Sequence, residues 1–575
     1  LAGDPRLASG GLTAESDPAL PTRTAPRPNR SQETPMPTGT GFTLAADAPM
    51  DFASWIRHRC RIGGDRMAIE VAGEPRTYAE LDDVTDRVAA GLAGLGLTQG
   101  EHVSLMMMNS LRNIDAWFGI QKAGLVEIPI HTAARGTGLH YIIDHADARA
   151  MVVDEGFLPH LAGIAERLPK LEHVIVHRES SGSLDTGLPG RIVVHDLEDL
   201  ARTEGSPPQV SLDRRDTAVI LHTSGTTGPP KGVVLSHQAV LHLTRHLVWL
   251  MDYTADDRLY TAFPLFHNNA KYTSVTAALE AGGSVVLDQK FSVSRFWPTI
   301  REKNITAFNY MGALLMMLHK QEERPDDADN PVRIAFGAPC PVEIWEDFER
   351  RFGMSLVEVY GMTECPMSTE NRLDDRRIGS AGKASMTYDV RIVDEAGEFC
   401  PPDVPGEIVV RPRMAGALFT EYYHRPEATV EAWRDLWFHT GDRGRMDADG
   451  FLFFIDRMKD CIRRRGENIS SWEVESTINT HPAVLECAAY GVPSPLTEYE
   501  VAVAVVFHPG QAADPVELLE FCDGKLPHFA IPRYVRVMEE LPKNHAQRVQ
   551  KYELRDEGIT AEMWDREEVG YQVRR

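Results

Sequence analysis

The most constraining feature of this chain is the segment at residues 223–232, which reads TSGTTGPPKG. Its ten residues contain three glycines, four hydroxyl side chains and one lysine. It follows residues 216–221 (DTAVIL), a short apolar and β-branched run that predicts a buried strand. A strand that opens into such a loop presents backbone N–H groups, hydroxyls and a cation to phosphate oxygens. The segment therefore predicts a phosphate-binding loop.

This loop differs from a Walker loop, in which the lysine directly follows the second glycine of G-x-x-x-x-G-K-[ST]. Here Gly225 and Gly228 are three residues apart, and two prolines precede Lys231. The prolines stiffen the loop and disfavour a direct continuation into a helix. A flexible surface loop is the ordinary interpretation of an isolated Gly/Ser stretch, but several distant segments support phosphate binding.

Those segments follow in chain order at residues 336–339 (FGAP), 360–364 (YGMTE), 440–442 (TGD), 456–460 (DRMKD) and 463–470 (RRRGENIS). Together with the loop they resemble the motifs of the adenylate-forming superfamily, which includes acyl-CoA synthetases, luciferases and nonribosomal adenylation domains. The resemblance covers roughly residues 50–556. Residues 264–270 (PLFHNNA) and 463–475 (RRRGENISSWEVE) are similar to the crotonobetaine/carnitine–CoA ligase-like branch.

The resemblance implies an ATP/AMP site built from many parts of the chain. Its residues would be Thr223, Ser224, Gly225, Thr226, Thr227, Gly228, Lys231, Gly337, Ala338, Pro339, Tyr360, Gly361, Met362, Thr363, Asp442 and Arg457. The chemistry agrees, because the Asp442 carboxylate can accept two hydrogen bonds from a ribose diol. Glu364 would be the hard oxygen ligand for the Mg²⁺ that accompanies ATP. Arg457 would supply a permanent cation to phosphate or ribose.

The implied reaction has two halves, in which an acid and ATP give an acyl-adenylate and pyrophosphate before the acyl group moves to an acceptor. The catalytic residues would be Thr363, Glu364, Lys231, His267 and Arg548. Two anions must meet in the first half, so catalysis rests on positioning and on cancelling negative charge. Relatives then rotate a small domain about a hinge residue, here Lys459, for which an exposed linker lysine is the alternative. Gly466, Glu467 and Asn468 would line the acceptor channel, with CoA as the expected acceptor.

The chain departs from the family pattern at residues 542–549 (PKNHAQRV), where P-K-T-x-x-G-K-[IV] is usual. Arg548 stands at the position of the second lysine, and Gln547 stands at that of the glycine. Arginine keeps the charge but is wider and planar, so the two are not interchangeable at a tight site. Three explanations stay open: Arg548 works in place of lysine, Lys551 substitutes for it, or adenylation suits an unusual acid.

The acyl pocket also departs from a lipid-binding pattern. By resemblance its residues would be His267, Asn268, Asn269, Lys271, Phe308, Tyr310, Met311 and Gly312. A lysine and two amides do not suit a fatty tail, because an unpaired buried ammonium is costly. Lys271 therefore indicates either an anionic group on the substrate or a side chain that snorkels to solvent. Phe308 and Tyr310, with Met311, are expected to offer an aromatic wall to an aryl acid or an aryl amine.

Three functions follow. The first is an acyl-CoA synthetase, favoured by the intact segment around Gly466. The second is an ATP-dependent diazotase, since relatives of this branch activate nitrite and pass it to an aryl amine, and a cation-bearing pocket would suit nitrite. The third is a non-catalytic nucleotide-binding protein, supported only by Arg548. The expected partners are thus a small acid, carboxylate or nitrite, and an acceptor, CoA or an aryl amine.

Length and composition set the broad class. A chain of 575 residues exceeds what one core usually covers, so two or more domains are expected. The formal net charge of −24 argues against nucleic acid or an anionic membrane as partner. No run of 18 apolar residues predicts a membrane span. The seven cysteines lack CxxC spacing and indicate reduced thiols in a cytoplasmic protein.

Strand-like runs at residues 102–107, 125–130, 148–153 and 173–177 alternate with helical stretches such as residues 77–96. This alternation predicts an α/β fold with parallel strands. We expect a disordered leader at residues 1–49, a large adenylation domain with mixed sheets and helices at 50–456, a small mobile α+β domain at 457–560, and a tail at 561–575. The leader is rich in Pro, Thr, Ser, Ala and Arg and lacks an apolar run typical of a signal peptide. The oligomeric state is open between a monomer and a homodimer.

Overall fold

The structure is a computed structural model that describes residues 48–178, 186–223, 230–457, 462–464, 467–469, 471–494, 499–523, 525–526, 528–543, 549–571 and 573. In chain order its strands are β1 (Met67–Val71), β2 (Glu74–Thr77), β3 (His102–Met106), β4 (Val126–Pro129), β5 (Ala150–Asp154), β6 (His173–His177), β7 (Val193–Asp196), β8 (Thr217–Thr223), β9 (Lys231–Ser236), β10 (Arg258–Thr261), β11 (Ser284–Leu287), β12 (Ala307–Tyr310), β13 (Ile334–Gly337), β14 (Ser355–Tyr360), β15 (Thr369–Glu370), β16 (Lys383–Ala384), β17 (Tyr388–Val393), β18 (Gly406–Pro412), β19 (Trp433–Arg434), β20 (Trp437–Met446), β21 (Leu452–Arg457), β22 (Ile462–Arg464), β23 (Glu467–Ile469), β24 (Val484–Pro493), β25 (Tyr499–Phe507), β26 (Tyr534–Val537) and β27 (Trp564–Asp565).

The helices pack between and around these strands. They are α1 (Phe52–Gly63), α2 (Tyr78–Gly94), α3 (Leu111–Lys122), α4 (Gly136–His145), α5 (Leu158–Ala162), α6 (Leu197–Leu200), α7 (His237–Leu250), α8 (Asn268–Ala270), α9 (Thr276–Ala281), α10 (Val293–Glu302), α11 (Gly312–His319), α12 (Trp345–Phe352), α13 (Pro426–Ala432), α14 (Ser471–Asn479), α15 (Pro515–Cys522) and α16 (Lys551–Glu557). A π-helix at Lys271–Val275 joins α8 to α9, and short 3₁₀ helices occur at Glu155–Phe157, Ala165–Arg167 and Val342–Ile344.

Two large sheets dominate the part of the chain before residue 458. One has the order β7-β6-β5-β3-β4-β8-β9, and the other has the order β16-β15-β14-β13-β12-β10-β11-β1-β2. Within the first sheet, neighbouring strands from β7 through β6, β5, β3 and β4 to β8 pair in parallel, and only the last pair, β8 and β9, is antiparallel. The predicted parallel α/β architecture is therefore confirmed. Helices α1, α2, α3, α7 and α9 contribute to a core that contacts both sheets.

Sequence-local signals explain where the principal helices begin. The Thr77 hydroxyl accepts a hydrogen bond from the Glu80 backbone N–H while the Glu80 carboxylate accepts one from the Thr77 N–H, a capping box that starts α2. Ser236 caps α7 in the same position by accepting from the Ala239 N–H. Because α7 begins only after β9 ends, the phosphate loop leads into a strand, as its two prolines predict.

A third sheet of β17, β18, β20, β19 and β21 follows, and the C-terminal part adds β22-β23 and β24-β25-β26-β27. Two apolar clusters contain only residues after position 461 among the described ones. This arrangement of a large N-terminal part and a smaller β-rich C-terminal part agrees with the predicted fold class. The boundary between residues 456 and 457 and the mobility of the small domain stay predictions. Among the described residues, no helix is long and apolar enough to span a membrane.

Candidate functional site

The two ends of the predicted phosphate loop belong to the β8–β9 hairpin. Thr223 ends β8 and pairs across the hairpin with Lys231, which begins β9. The Thr223 hydroxyl donates to the Lys231 carbonyl over 3.4 Å. Ser224, Gly225, Thr226, Thr227 and Gly228 were predicted to bind phosphate and lie outside the described residues. The hairpin thus fixes both ends of the predicted loop, and Lys231 stands at its exit.

Four parallel strands of the nine-stranded sheet bring three further segments to one edge. The strands β14, β13, β12 and β10 are adjacent and run in the same direction. Their carboxyl ends lead into residues 360–364, 337–339, 311–312 and 264–270 respectively. Ligands of open α/β sheets bind at the carboxyl ends of strands. The topology therefore brings together the YGMTE, adenine and acyl-pocket segments.

Close backbone packing explains two of the glycines at this edge. A Cβ atom at Gly337 would lie 2.1 Å from the Tyr310 carbonyl oxygen on the neighbouring strand. At Gly361 it would lie 2.5 Å from the Met367 backbone nitrogen, inside the turn that carries Glu364. Both positions need glycine because backbone atoms approach too closely for any side chain. Of the other predicted adenine-segment residues, Ala338 is half-buried and Pro339 is exposed.

The YGMTE segment meets the ribose motif through a direct hydrogen bond. The Tyr360 hydroxyl at the end of β14 donates to Asp442 Oδ2 over 2.8 Å. Asp442 lies on β20 opposite Arg457 of β21, whose Nε is 3.5 Å from Asp442 Oδ1. Burial and the nearby Asp442 charge raise the pKa of Tyr360 well above its ordinary value. The phenol therefore stays protonated and donates to the carboxylate.

Glu364, the predicted Mg²⁺ ligand, lies buried beside Tyr422. The Tyr422 hydroxyl donates to Glu364 Oε1 over 2.8 Å, and the Lys231 ammonium lies 4.6 Å from the centre of the Tyr422 ring. Burial raises the pKa of Glu364, whereas the Tyr422 hydrogen bond and the charges of Lys231 and Arg457 lower it. Among the described residues, no three His, Cys, Asp or Glu side chains lie together in a group that could hold a metal ion.

A single carboxylate fits Mg²⁺ in this setting, because Mg²⁺ is commonly bound by one or two carboxylates together with the phosphates of its nucleotide. Glu364 would hold the ion, which would neutralise phosphate charge when bound. Met362 and Thr363 are half-buried in the same turn. The geometry therefore brings the Lys231 ammonium and the Glu364 and Asp442 carboxylates into one region.

Lys271 has a protein partner. Its ammonium forms a buried ion pair with Glu127 of β4 and lies 4.0 Å from the centre of the Trp117 ring. Burial lowers the pKa of Lys271 to about 8, although Glu127 opposes the shift. The snorkelling alternative is wrong, because Lys271 is 0% exposed. The anion that the sequence analysis assigned to the substrate is, in this structure, a side chain of the protein.

Phe308 and Tyr310 do not form a pocket wall, which corrects the sequence prediction. Both rings are 0% exposed in an apolar core on the far side of β12. The ring centres of Phe308 and Phe296 are 5.1 Å apart, and the Tyr310 hydroxyl donates to the Val357 carbonyl. Successive side chains on a strand point to opposite faces. The residue that faces the predicted pocket segment is therefore Asn309.

Asn309 is the centre of a polar network that the sequence analysis missed. Its Nδ2 donates to Asn269 Oδ1 over 2.8 Å and contacts the hydroxyls of Thr273 and Ser274 at 2.9 and 2.8 Å. Its Oδ1 is buried without a hydrogen-bond partner, as is Oδ1 of Asn268. The signal available in the sequence for this network was the amide side chain of Asn309 within the otherwise largely apolar run AFNY at residues 307–310. The pocket segment is thus lined by amides and hydroxyls.

The other predicted pocket residues lie near this network. His267 is exposed, and its ring lies 4.7 Å from that of Phe266. Met311 is 48% exposed. Gly312 is buried, and a Cβ there would lie 2.9 Å from the Pro339 carbonyl oxygen. These three residues are therefore close to the carboxyl edge of the sheet, and their roles stay predictions.

The C-terminal candidates are only partly described. Lys459, Gly466 and Arg548 lie outside the described residues, and Glu467 and Asn468 are described as backbone in β23. Lys551 begins α16, where its ammonium lies 2.8 Å from Glu475 Oε1 and donates to the Ser471 hydroxyl over 2.6 Å. Lys551 is thus engaged within the C-terminal part.

The described cysteines are free thiols. Cys365 adjoins Glu364 and is 0% exposed, and burial raises its pKa above the ordinary value. A raised pKa suppresses the reactive thiolate. Cys365 therefore has the environment expected of a structural residue.

Comparisons with known proteins cover most of the chain. A family model described as AMP-binding enzyme matches residues 56–423, and one described as AMP-binding enzyme C-terminal domain matches residues 473–548. Crotonobetaine/carnitine–CoA ligase of Salmonella typhimurium strain LT2 is 30% identical over 487 residues, covering 83% of this chain and 93% of the relative.

Solved structures show the same fold. ATP-bound MatB from Rhodopseudomonas palustris is 29% identical, with a TM-score of 0.76 over 87% of this chain and 98% of that one. The anthranilate CoA ligase AuaEII in complex with anthranoyl-AMP has a TM-score of 0.78 at 24% identity, covering 90% of this chain and 99% of that one. The first family model spans the β8–β9 hairpin and the sheet edge described above, and the second spans β24, β25 and β26.

Proposed function

Because this chain belongs to the AMP-binding enzyme family and to its adenylate-forming CoA ligases, we propose that it joins an organic acid to CoA with ATP. A carboxylate oxygen of the acid attacks the α-phosphorus, and the bond from that phosphorus to pyrophosphate breaks. The CoA thiol then attacks the acyl carbon, loses its proton and displaces AMP. The products are acyl-CoA, AMP and pyrophosphate.

The observation that carries this proposal is the link between motifs from separate sheets. Tyr360 joins the YGMTE strand to Asp442, and Tyr422 joins Glu364 to the region of Lys231. A nucleotide that contacts Asp442 through its ribose and Lys231 through its phosphates would pass Glu364 and its metal. The MatB structure is described as ATP-bound, which supports ATP as the nucleotide.

Charge explains the roles of these residues. The acid and the α-phosphate are both anions, so the protein must offset their repulsion while it holds them in line. Lys231 and Arg457 supply cations, and Glu364 would hold Mg²⁺ against the phosphates. Thr363, half-buried in the same turn, would donate a hydrogen bond to an oxygen of the reacting groups. Lys459 as hinge, and Gly466, Glu467 and Asn468 as acceptor channel, complete the proposal.

The acid is proposed to be small and polar. Asn268, Asn269 and Asn309 supply amides, and two of their oxygens are buried without a partner. An alkyl chain packed against such groups would leave them unsatisfied, which is costly. A hydroxyl or amino group on the acid would satisfy them. Fatty acids are therefore expected to be poor substrates.

The nitrite alternative loses the observation on which it rested. Lys271 suggested a small inorganic anion, and the structure pairs it with Glu127. The relatives reported above are named as CoA ligases. The non-catalytic alternative rested only on Arg548, which lies outside the described residues. The contacts among Tyr360, Asp442, Glu364 and Lys231 support a nucleotide site, and the relatives named as CoA ligases favour catalysis.

The test is pyrophosphate release from ATP and Mg²⁺ with aryl, short-chain, dicarboxylic and fatty acids and with nitrite, each with and without CoA. We expect release with a polar organic acid and a thioester product that requires CoA. Lys231→Ala and Asp442→Ala should each reduce the rate about 10²–10³-fold. Asp389→Ala, on β17 of the sheet that carries Asp442, is the matched control and should retain activity.

Two outcomes would overturn the proposal. Release that depends on nitrite and an aryl amine, without any effect of CoA, would identify a diazotase. Binding of ATP without release for every acid would identify a nucleotide-binding protein.

A further inference from the structure

Tyr422 occupies the space between two groups that act on the same nucleotide. It is 5% exposed. Its hydroxyl donates to Glu364 Oε1 over 2.8 Å, and its ring lies 4.6 Å from the Lys231 ammonium. One side chain therefore touches both the predicted metal ligand and the predicted phosphate-binding cation.

The backbone around Tyr422 is fixed to the same two elements. The Thr420 N–H donates to the Val234 carbonyl, the Val234 N–H donates to the Glu421 carbonyl, and the Tyr423 N–H donates to the Gly232 carbonyl. Residues 420–423 thus run beside β9, directly after Lys231. The Phe419 N–H donates to the Glu364 carbonyl over 2.9 Å. The backbone of this segment is therefore hydrogen-bonded both to β9, which begins at Lys231, and to Glu364.

The chemistry of the two contacts is directional. A phenol O–H donor to Oε1 fixes the rotation of the Glu364 carboxylate, and outer partners of this kind orient metal ligands. The electron-rich face of the ring attracts the Lys231 ammonium. Removing the hydroxyl would free the carboxylate and leave the ring–ammonium contact intact. Removing the ring would release both.

We propose that Tyr422 is a positioning residue that holds Glu364 and Lys231 in register for Mg²⁺-bound ATP. This inference rests on the proposed function in one respect only, which is the identity of the bound ligand as ATP with Mg²⁺. It predicts separable effects: the hydroxyl governs the metal dependence of nucleotide binding, and the ring governs phosphate affinity through Lys231.

The test compares Tyr422→Phe, Tyr422→Leu and Tyr423→Phe in the full chain by calorimetric titration of ATP with and without Mg²⁺, in the absence of acid. Tyr423 is the matched control, because its hydroxyl donates to Asp147. For Tyr422→Phe we expect the Mg²⁺-dependent gain in ATP affinity to fall about ten-fold or more, as for loss of a hydrogen bond to a charged group. ATP affinity without Mg²⁺ should change little.

Tyr422→Leu should weaken ATP binding in both conditions, and Tyr423→Phe should match the wild type. The inference is overturned if Tyr422→Phe and the wild type show the same Mg²⁺-dependent gain, or if Tyr423→Phe loses it equally. Circular dichroism of each variant checks that it folds. Because the binding readout needs no acid, it stands even if pyrophosphate release, and with it the proposed function, fails.

Discussion

At the scale of single residues, Lys271 and Glu127 show that a partner, and not a residue type alone, decides a role. Lys271 lies in the π-helix and Glu127 lies on β4 of the other large sheet, 144 positions apart. Both side chains are essentially unexposed. The pair ties the pocket segment to the neighbouring sheet. Its π-helical form is consistent with a functional region, because π-helical turns occur frequently at functional sites.

We predict that breaking this pair destabilises the fold. Lys271→Met and Glu127→Gln should each lower the free energy of unfolding by about 3–5 kcal/mol, since each leaves a buried charge unpaired. The double variant should lose less than the sum of the two. Urea denaturation of the four proteins measures this cycle. Unchanged stability of Lys271→Met, with weaker binding of the acid alone, would restore Lys271 as a substrate contact.

At the scale of elements, the end of β21 is joined to α14 and α16. Asp456 Oδ2 on β21 accepts hydrogen bonds from the Ser471 N–H and hydroxyl at 2.6 and 2.7 Å. Lys551 of α16 binds the same hydroxyl and Glu475 of α14. The three elements meet next to the predicted hinge motif. Because Lys551 is held in this network, we propose Arg548, and not Lys551, as the cation that serves adenylation.

Two variants separate these roles. Arg548→Ala should reduce acid-dependent pyrophosphate release about 10²–10³-fold while the melting temperature stays the same. Lys551→Ala should instead lower stability, because it leaves the Glu475 carboxylate without its cation. Differential scanning fluorimetry and pyrophosphate release measure the two effects. A stable Lys551→Ala protein without adenylation activity would show that Lys551 is the substitute.

At the scale of the whole molecule, several buried histidines make the fold sensitive to acid. Burial, with His246 and Arg245 nearby, lowers the pKa of His242 to about 3. Burial and His145 lower that of His222 to about 3. The unfolded chain binds protons at these groups near pH 6.5, and the folded chain does not. Their stabilising contribution is thus present above pH 6.5 and is lost as pH falls toward 3.

We predict that His242→Gln reduces this loss. Below about pH 6, each such histidine lowers the free energy of unfolding by about 1.4 kcal/mol for each unit by which the pH falls. Glutamine keeps a group able to hydrogen-bond to Thr387, as His242 does over 2.8 Å. Denaturant unfolding at pH 7, 6 and 5 gives the slopes. His528→Gln, at an exposed position, is the control, and equal slopes for wild type and His242→Gln would contradict the prediction.

The parallel α/β class, the family and the positions of its motifs could all be predicted from the amino-acid sequence alone. Strand periodicity and the Gly, Pro and Thr spacing of the phosphate loop are local properties, so they can be read along the chain. The two prolines of the loop disfavour a helix directly after it, which agrees with the strand that begins at Lys231.

Only the tertiary structure decided which side chains meet. The register of β12 turned Phe308 and Tyr310 into the core and Asn309 toward Asn269, and a shift by one residue would reverse them. Tyr422 lies 58 positions from Glu364, and Glu127 lies on β4 whereas Lys271 lies in the π-helix. Such contacts depend on how distant elements pack, and no local pattern in the sequence encodes that packing.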